Sequence, residues 1–224
     1  MKEILGKKLG MTRIFAESGE MVSCTVIEAG PCPVVSKKTT EKHGYEAYQV
    51  GFGKVKKTRH IADGKRKVPS HATKPRAGVF TKVGQEPREF LSEIRFDEGQ
   101  LEVGAELKVG VFKAGERVDV SGVSRGLGFQ GGMKLHNFAG AQKTHGQSDR
   151  MRAPGSIGAS SYPSRVFRGQ RMAGRMGRNN VTVLNLPVVQ IIEEENLMLI
   201  RGAVPGHKGS LVRVRNSNRS RNGR

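Results

Sequence analysis

From residue 123 to residue 177 the side chains equipped for chemistry are nearly all cationic: Arg125, Lys134, Lys143, Arg150, Arg152, Arg165, Arg168, Arg171 and Arg175. His136 and His145 lie among them, Arg178 follows at once, and Asp149 is the one carboxylate. The chemistry open to this set is neutralisation of a polyanion. A guanidinium fork bridges phosphate oxygens through paired hydrogen bonds and stacks on bases, whereas lysine acts as a point charge. Glycines recur through the same stretch, Gly126, Gly128, Gly131, Gly140, Gly155 and Gly169 among them, and a residue without Cβ lets backbone approach a phosphate or another backbone closely.

Two patterns here imitate enzyme sites. Gly126-Leu127-Gly128-Phe129-Gln130-Gly131 has the spacing of a dinucleotide-binding turn, with Asp149 near the required distance of about 20 residues downstream. Such a turn must open an amphipathic helix, yet the residues after Gly132 soon return to Gly, Thr and His. His145, Ser148 and Asp149 are triad residue types, but they crowd one irregular loop, and a triad needs a scaffold to hold its members apart and aligned. Cys24 and Cys32 have no partners at zinc-site spacing and are too few for a disulfide framework. We therefore expect no enzymatic activity, no cofactor, no metal and no small-molecule substrate.

The elements that must carry the basic stretch are short β-type runs rich in Val, Ile, Thr and Tyr, at 3–9, 21–29, 45–53, 107–112, 117–124, 181–186, 188–192, 197–201 and 211–215. Turn signals such as Ala29-Gly30-Pro31 and Val204-Pro205-Gly206 separate them. Runs at both ends of the chain predict a mainly β fold, a small antiparallel barrel closed by pairing amino-terminal with carboxy-terminal strands. The middle then becomes insertions. We assign residues 1–53, 100–122 and 178–216 to the barrel, 54–99 to an inserted α+β subdomain, and 123–177 to a long irregular basic extension, with 217–224 as a flexible basic tail. Neither helical nor strand periodicity persists in 123–177. Ordering its backbone costs about 1–2 kcal/mol per residue, and few apolar groups are present to offset that. Its order must come from outside the chain.

Composition names the class of partner. Among 224 residues, Lys and Arg total 39 against 20 Asp and Glu, a formal charge of +19. So strong a surplus calls for a polyanion, and glycine-broken basic stretches cannot make the amphipathic helix that a membrane surface requires. Nucleic acid is the expected partner. No apolar run is long enough for a membrane span, and the first residues lack a signal peptide's apolar centre, so a cytoplasmic location is expected. Gly51-Phe52-Gly53 imitates an RNA-recognition strand, but Val50 and Lys54 break that pattern. With aromatics at 5% and no Trp, phosphate, sugar and RNA shape should be read more than splayed bases. A free regulator acting on DNA is the alternative, although no helix-turn-helix, zinc finger or basic zipper is visible to enter a groove.

Longer motifs narrow this further. Ile4-Leu5-Gly6-Lys7-Lys8-Leu9-Gly10-Met11-Thr12, Glu28-Ala29-Gly30-Pro31-Cys32, the stretch from Phe112 to Gly131, Arg152-Ala153-Pro154-Gly155-Ser156-Ile157-Gly158, Arg171-Met172-Ala173-Gly174-Arg175-Met176-Gly177 and Gly202-Ala203-Val204-Pro205-Gly206 occur in order. With them the chain resembles the bacterial ribosomal protein L3 (uL3) family over nearly its whole length. The resemblance implies a translation-protein-type β-barrel and a structural role in the large (50S) subunit on the cytoplasmic ribosome. It also implies binding to 23S rRNA near its 3′ end, help in initiating subunit assembly, a loop reaching toward the peptidyl-transferase centre, and proteins L14 and L19 as neighbours. The residues expected to contact rRNA are Arg125, Lys134, His136, Lys143, His145, Arg150, Arg152, Arg165, Arg168, Arg171, Arg175 and Arg178. Leu127 and Leu135-His136 depart from the family's usual residues. Ala159 stands where some members carry a methylated glutamine, so that modification is expected to be absent.

Overall fold

Alternation of apolar and polar residues decides most of the strands. In the computed structural model, which describes residues 1–16, 18–55, 74–96 and 101–217, the chain opens with β1 (Glu3–Phe15), β2 (Met21–Ala29) and β3 (Cys32–Lys38). A one-turn helix α1 (Thr40–His43) leads to β4 (Ala47–Lys54). Helix α2 (Lys74–Thr81), β5 (Arg88–Ile94), the two-residue β6 (Glu106–Leu107) and β7 (Arg117–Val123) follow. After β8 (Gly128–Gln130), α3 (Gly132–His136) and β9 (Gly174–Met176), the chain ends with β10 (Asn180–Ile192), β11 (Leu197–Arg201) and β12 (Leu211–Asn216). Two compact units result, one of Met1–Val123 with the described part of 180–224, the other Ser124–Asn179.

Six strands of the first unit form a closed barrel in the order β1-β12-β7-β10-β11-β2. As the sequence predicts, closure joins the two ends of the chain: Glu3 to Lys7 on β1 lie opposite Arg215 to Leu211 on β12, antiparallel. The inward residues include Ile4, Ile27, Val118, Val120, Met198, Ile200, Val212 and Val214, each at most 1% exposed. Closure also removes the unpaired sheet edges that invite aggregation.

The barrel does not run through residue 53 as expected. β3 and β4 leave it to form a separate sheet in the order β5-β4-β3-β6. Burial explains the departure: Cys32, Pro33, Val34 and Val35 are buried in succession, so β3 is covered on both faces, unlike a strand with one solvated side. Val34, Val50, Phe52 and Ile94 share one core with Ile4 and Leu5 of β1. Arg213 of β12 fastens the barrel to β5, donating to the Ser92 hydroxyl at 2.7 Å and the Glu93 carbonyl at 3.0 Å. Above Gly51 there is room only for hydrogen, because a Cβ there would lie 2.6 Å from the ring of fully buried Phe80 on α2. Phe52 is buried at 3% exposure, which removes the RNA-recognition reading of that strand on physical grounds. Of the predicted inserted subdomain, residues 56–73 and 97–100 lie outside the described residues, as do 218–224 of the predicted tail.

Three further readings are corrected by the fold. The stretch 107–112 is β6 followed by a 3-10 turn at Val109–Val111 rather than one strand. β1 continues past residue 9 to Phe15, after a bulge between Lys8 and Gly10, because its second half pairs with Met21 to Val26 in a hairpin. β10 is one strand, not two. Its register shifts between Val183 and Leu186, and the bulge is held by buried Asp119, whose carboxylate accepts the Asn185 N–H at 2.8 Å and lies 3.5 Å from the Arg215 guanidinium. Both cysteines are buried and free.

Candidate nucleic-acid interface

The second unit, residues 124–179, contains not one buried residue. Short backbone ladders hold it instead of a core. Ser124 and Leu127 donate to Asn179 and Met176, and Phe129 of β8 lies opposite Arg175 of β9 in a two-stranded ribbon. The strands meet where Gly177 takes a left-handed φ of 80°. A side chain there would run into the Arg125 carbonyl, so both the conformation and the close approach require glycine.

Of the twelve residues expected to contact RNA, eleven are exposed: Arg125, Lys134, Lys143, His145, Arg150, Arg152, Arg165, Arg168, Arg171, Arg175 and Arg178. None of the ten cations among them has an ion-pair partner among the described residues, whereas Lys2, Arg201 and Arg215 of the first unit are paired with Glu116, Glu20 and Asp119. The only carboxylate of the second unit, Asp149, accepts a hydrogen bond from Ser148 at 3.2 Å. That leaves a dense surface of unspent positive charge, the electrostatic footprint of a phosphate-binding protein.

His136 stands apart from the other eleven. It is half-buried, its Nε2 lies 2.9 Å from the Met172 carbonyl, and its ring packs against Phe138 at 5.7 Å. This ring ties α3 to the segment before β9. The enzyme-like patterns stay apart chemically: His145 makes no hydrogen bond to Ser148 or Asp149, and the helix after Gly131 stops after five residues at left-handed Asn137. Among the described residues no cluster of three His, Cys, Asp or Glu could hold a metal ion, and no helix is long and apolar enough to cross a membrane.

Sequence reasoning missed the exposed aromatics. Phe129 is 77% exposed and Tyr162 89%, and both sit in the unit that has no interior to receive them. The available signal was an aromatic within a stretch that lacks periodicity, where burial cannot be its purpose. A low overall aromatic content concealed it.

Residues 36–196 match the family model for ribosomal protein L3. The chain is 52% identical to large ribosomal subunit protein uL3 of Chlorobaculum tepidum, over 96% of this chain and 98% of that protein. It is 53% identical to the protein of the same name from Chlorobaculum parvum and 51% to that of Chlorobium limicola, each over the same shares. With a family match over most of its length and relatives this similar end to end, the chain belongs to the ribosomal protein L3 family.

Proposed function

We propose that this chain is a structural component of the large ribosomal subunit that binds 23S rRNA through residues 124–179. It performs no chemistry on a substrate, in keeping with a family of ribosomal structural proteins. The observation that carries the reading is the second unit itself: ten unpaired cations, one carboxylate and no buried residue. Such a unit gains order by exchanging self-repulsion for phosphate contacts. Arg125, Lys134, Lys143, Arg150, Arg152, Arg165, Arg168, Arg171, Arg175 and Arg178 supply those contacts. The first unit, whose surface cations are partly matched by acids, docks on RNA and on neighbouring proteins, L14 and L19 among them. Early binding of this kind helps to initiate subunit assembly, with the second unit reaching toward the peptidyl-transferase centre.

The test is to express the tagged full chain in bacteria, fractionate the lysate on a sucrose gradient, and map ultraviolet cross-links on the RNA. We expect the chain to travel with large subunits, with cross-links from 124–179 to 23S rRNA. Recovery with DNA, or at the top of the gradient, would refute the reading and favour the free regulator.

A further inference from the structure

The second unit has a cavity of about 520 Å³, open to solvent on one side, within the range of roughly 300–1,000 Å³ typical of small-ligand sites. Three chain segments, near residues 138–141, 147–157 and 170–171, form its walls. One backbone hydrogen bond joins the first two, and two others close turns within the second and just before the third. Ala141 N–H donates to the Met151 carbonyl at 3.0 Å, Ala153 N–H to Arg150 at 3.2 Å, and Gln170 N–H to Phe167 at 3.3 Å. At Gly140 the apposition is so close that a Cβ would lie 2.6 Å from the Met151 carbonyl.

The lining has a divided chemistry. Phe138, Pro154 and Ile157 supply apolar surface, while Gln147 and Gln170 bring two amides and Arg150 and Arg171 two guanidinium groups. None of these four polar side chains has a hydrogen-bond or ion-pair partner among the described residues. Gln147 is half-buried and the other three are exposed, so folding leaves these groups hydrated and free to be used beside open apolar surface, at a site whose lining includes no acid to attract a cation. A partner complementary to this lining has a flat apolar body, an edge carrying donors and acceptors, and a negative charge attached. A nucleotide has all three.

We infer that this cavity captures one unstacked nucleotide of the bound RNA. Its base lies against Phe138, Pro154 and Ile157, Gln147 and Gln170 hydrogen-bond its edge, and Arg150 and Arg171 hold the flanking phosphates. On an unstacked base the Watson–Crick edge is free, and a glutamine amide matches adenine there, because the N6 donor lies beside the N1 acceptor. The inference rests on the RNA-binding reading above and adds a base-specific contact to it.

The test uses the full chain bound to 23S rRNA, with dimethyl sulfate probing of base edges and 2′-hydroxyl acylation of sugars. In the wild-type complex one nucleotide should show a protected base edge together with a hyperreactive sugar, the signature of a base withdrawn from its stack. The double variant Gln147→Leu/Gln170→Leu should lose the edge protection at that nucleotide alone. Ala153→Trp, which fills the cavity, should restore normal sugar reactivity and weaken binding about 5- to 150-fold, the loss associated with one stacked base. Neither variant should change the salt dependence of binding. A wild-type complex without any nucleotide of that combined signature, or a signature that persists in Ala153→Trp, overturns the inference while leaving RNA binding intact. Failure of the wild-type chain to bind 23S rRNA would instead overturn the parent reading.

Discussion

Salt dependence is the sharpest measure of what the ten unpaired cations do. Each phosphate neutralised contributes about −0.7 to the slope of log affinity against log salt on single strands and about −0.9 on duplex. If all ten engage, the wild-type slope is about −7 to −9, and a rise from about 50 to 200 mM salt weakens binding roughly 10⁴- to 10⁵-fold. The perturbation is Arg165→Gln with Arg168→Gln and Arg175→Gln, three exposed side chains without internal ion pairs. Their loss should flatten the slope by about 2 to 3 and leave a roughly 10³- to 10⁴-fold loss over the same range. Arg201→Gln is the control, since that guanidinium already lies 3.4 Å from Glu20, and its slope should match wild type. Filter-binding titrations of the full chain with 23S rRNA at four salt concentrations provide the assay. A triple variant whose slope equals that of wild type would refute phosphate neutralisation by these residues, whatever happens to absolute affinity.

Two predictions concern the first unit. Asp119→Ala strands the Asn185 N–H and the Arg215 guanidinium and should cost about 2–3 kcal/mol in urea unfolding, with Asp119→Asn costing less because an acceptor remains; equal losses would count against this account. Burial pushes the Cys32 thiol up to about 12 from an ordinary 9.0, with the Leu5 carbonyl and Arg88 acting on it more weakly. The folded chain thus holds a proton that the unfolded chain loses above about pH 9, so this contribution is fully present below 9 and falls by up to about 1.4 kcal/mol per pH unit above it. Urea melts between pH 8.5 and 10.5 should fall more steeply for wild type than for Cys32→Ala, and parallel curves would sink the argument.

What could be read from the sequence followed physical kind. β12 was legible because Val212 and Val214 alternate with Arg213 and Arg215, inward against outward. β3 was missed because four buried residues in succession, one of them Pro33, resemble a loop as much as a strand covered on both faces. Pro187 appeared to divide β10, yet it lies just beyond a bulge, the place where a sheet tolerates proline. The cationic residues of the second unit were legible because charge without an apolar partner stays exposed. The cavity was not, because Ala141 and Met151, Ala153 and Arg150, and Gln170 and Phe167 meet through backbone hydrogen bonds that leave no side-chain pattern. The internal contact of His136 was hidden for the same reason, its carbonyl partner at Met172 lying 36 residues away.

The two units resolve the same excess of charge in opposite ways. Residues 124–179 carry ten Lys and Arg against one Asp, and the other 168 residues carry 29 against 19 acids. In the first unit a shared core absorbs the repulsion, and several cations find carboxylates within the fold. The second has neither resource, so its repulsion is relieved only by anions from outside. On the proposed reading, the phosphate that relieves the repulsion is also the ligand, and ordering the unit and binding RNA draw on one free energy. Adding acids to the second unit would therefore stabilise it alone and weaken it as an RNA ligand, a trade-off that no substitution in the barrel should reproduce.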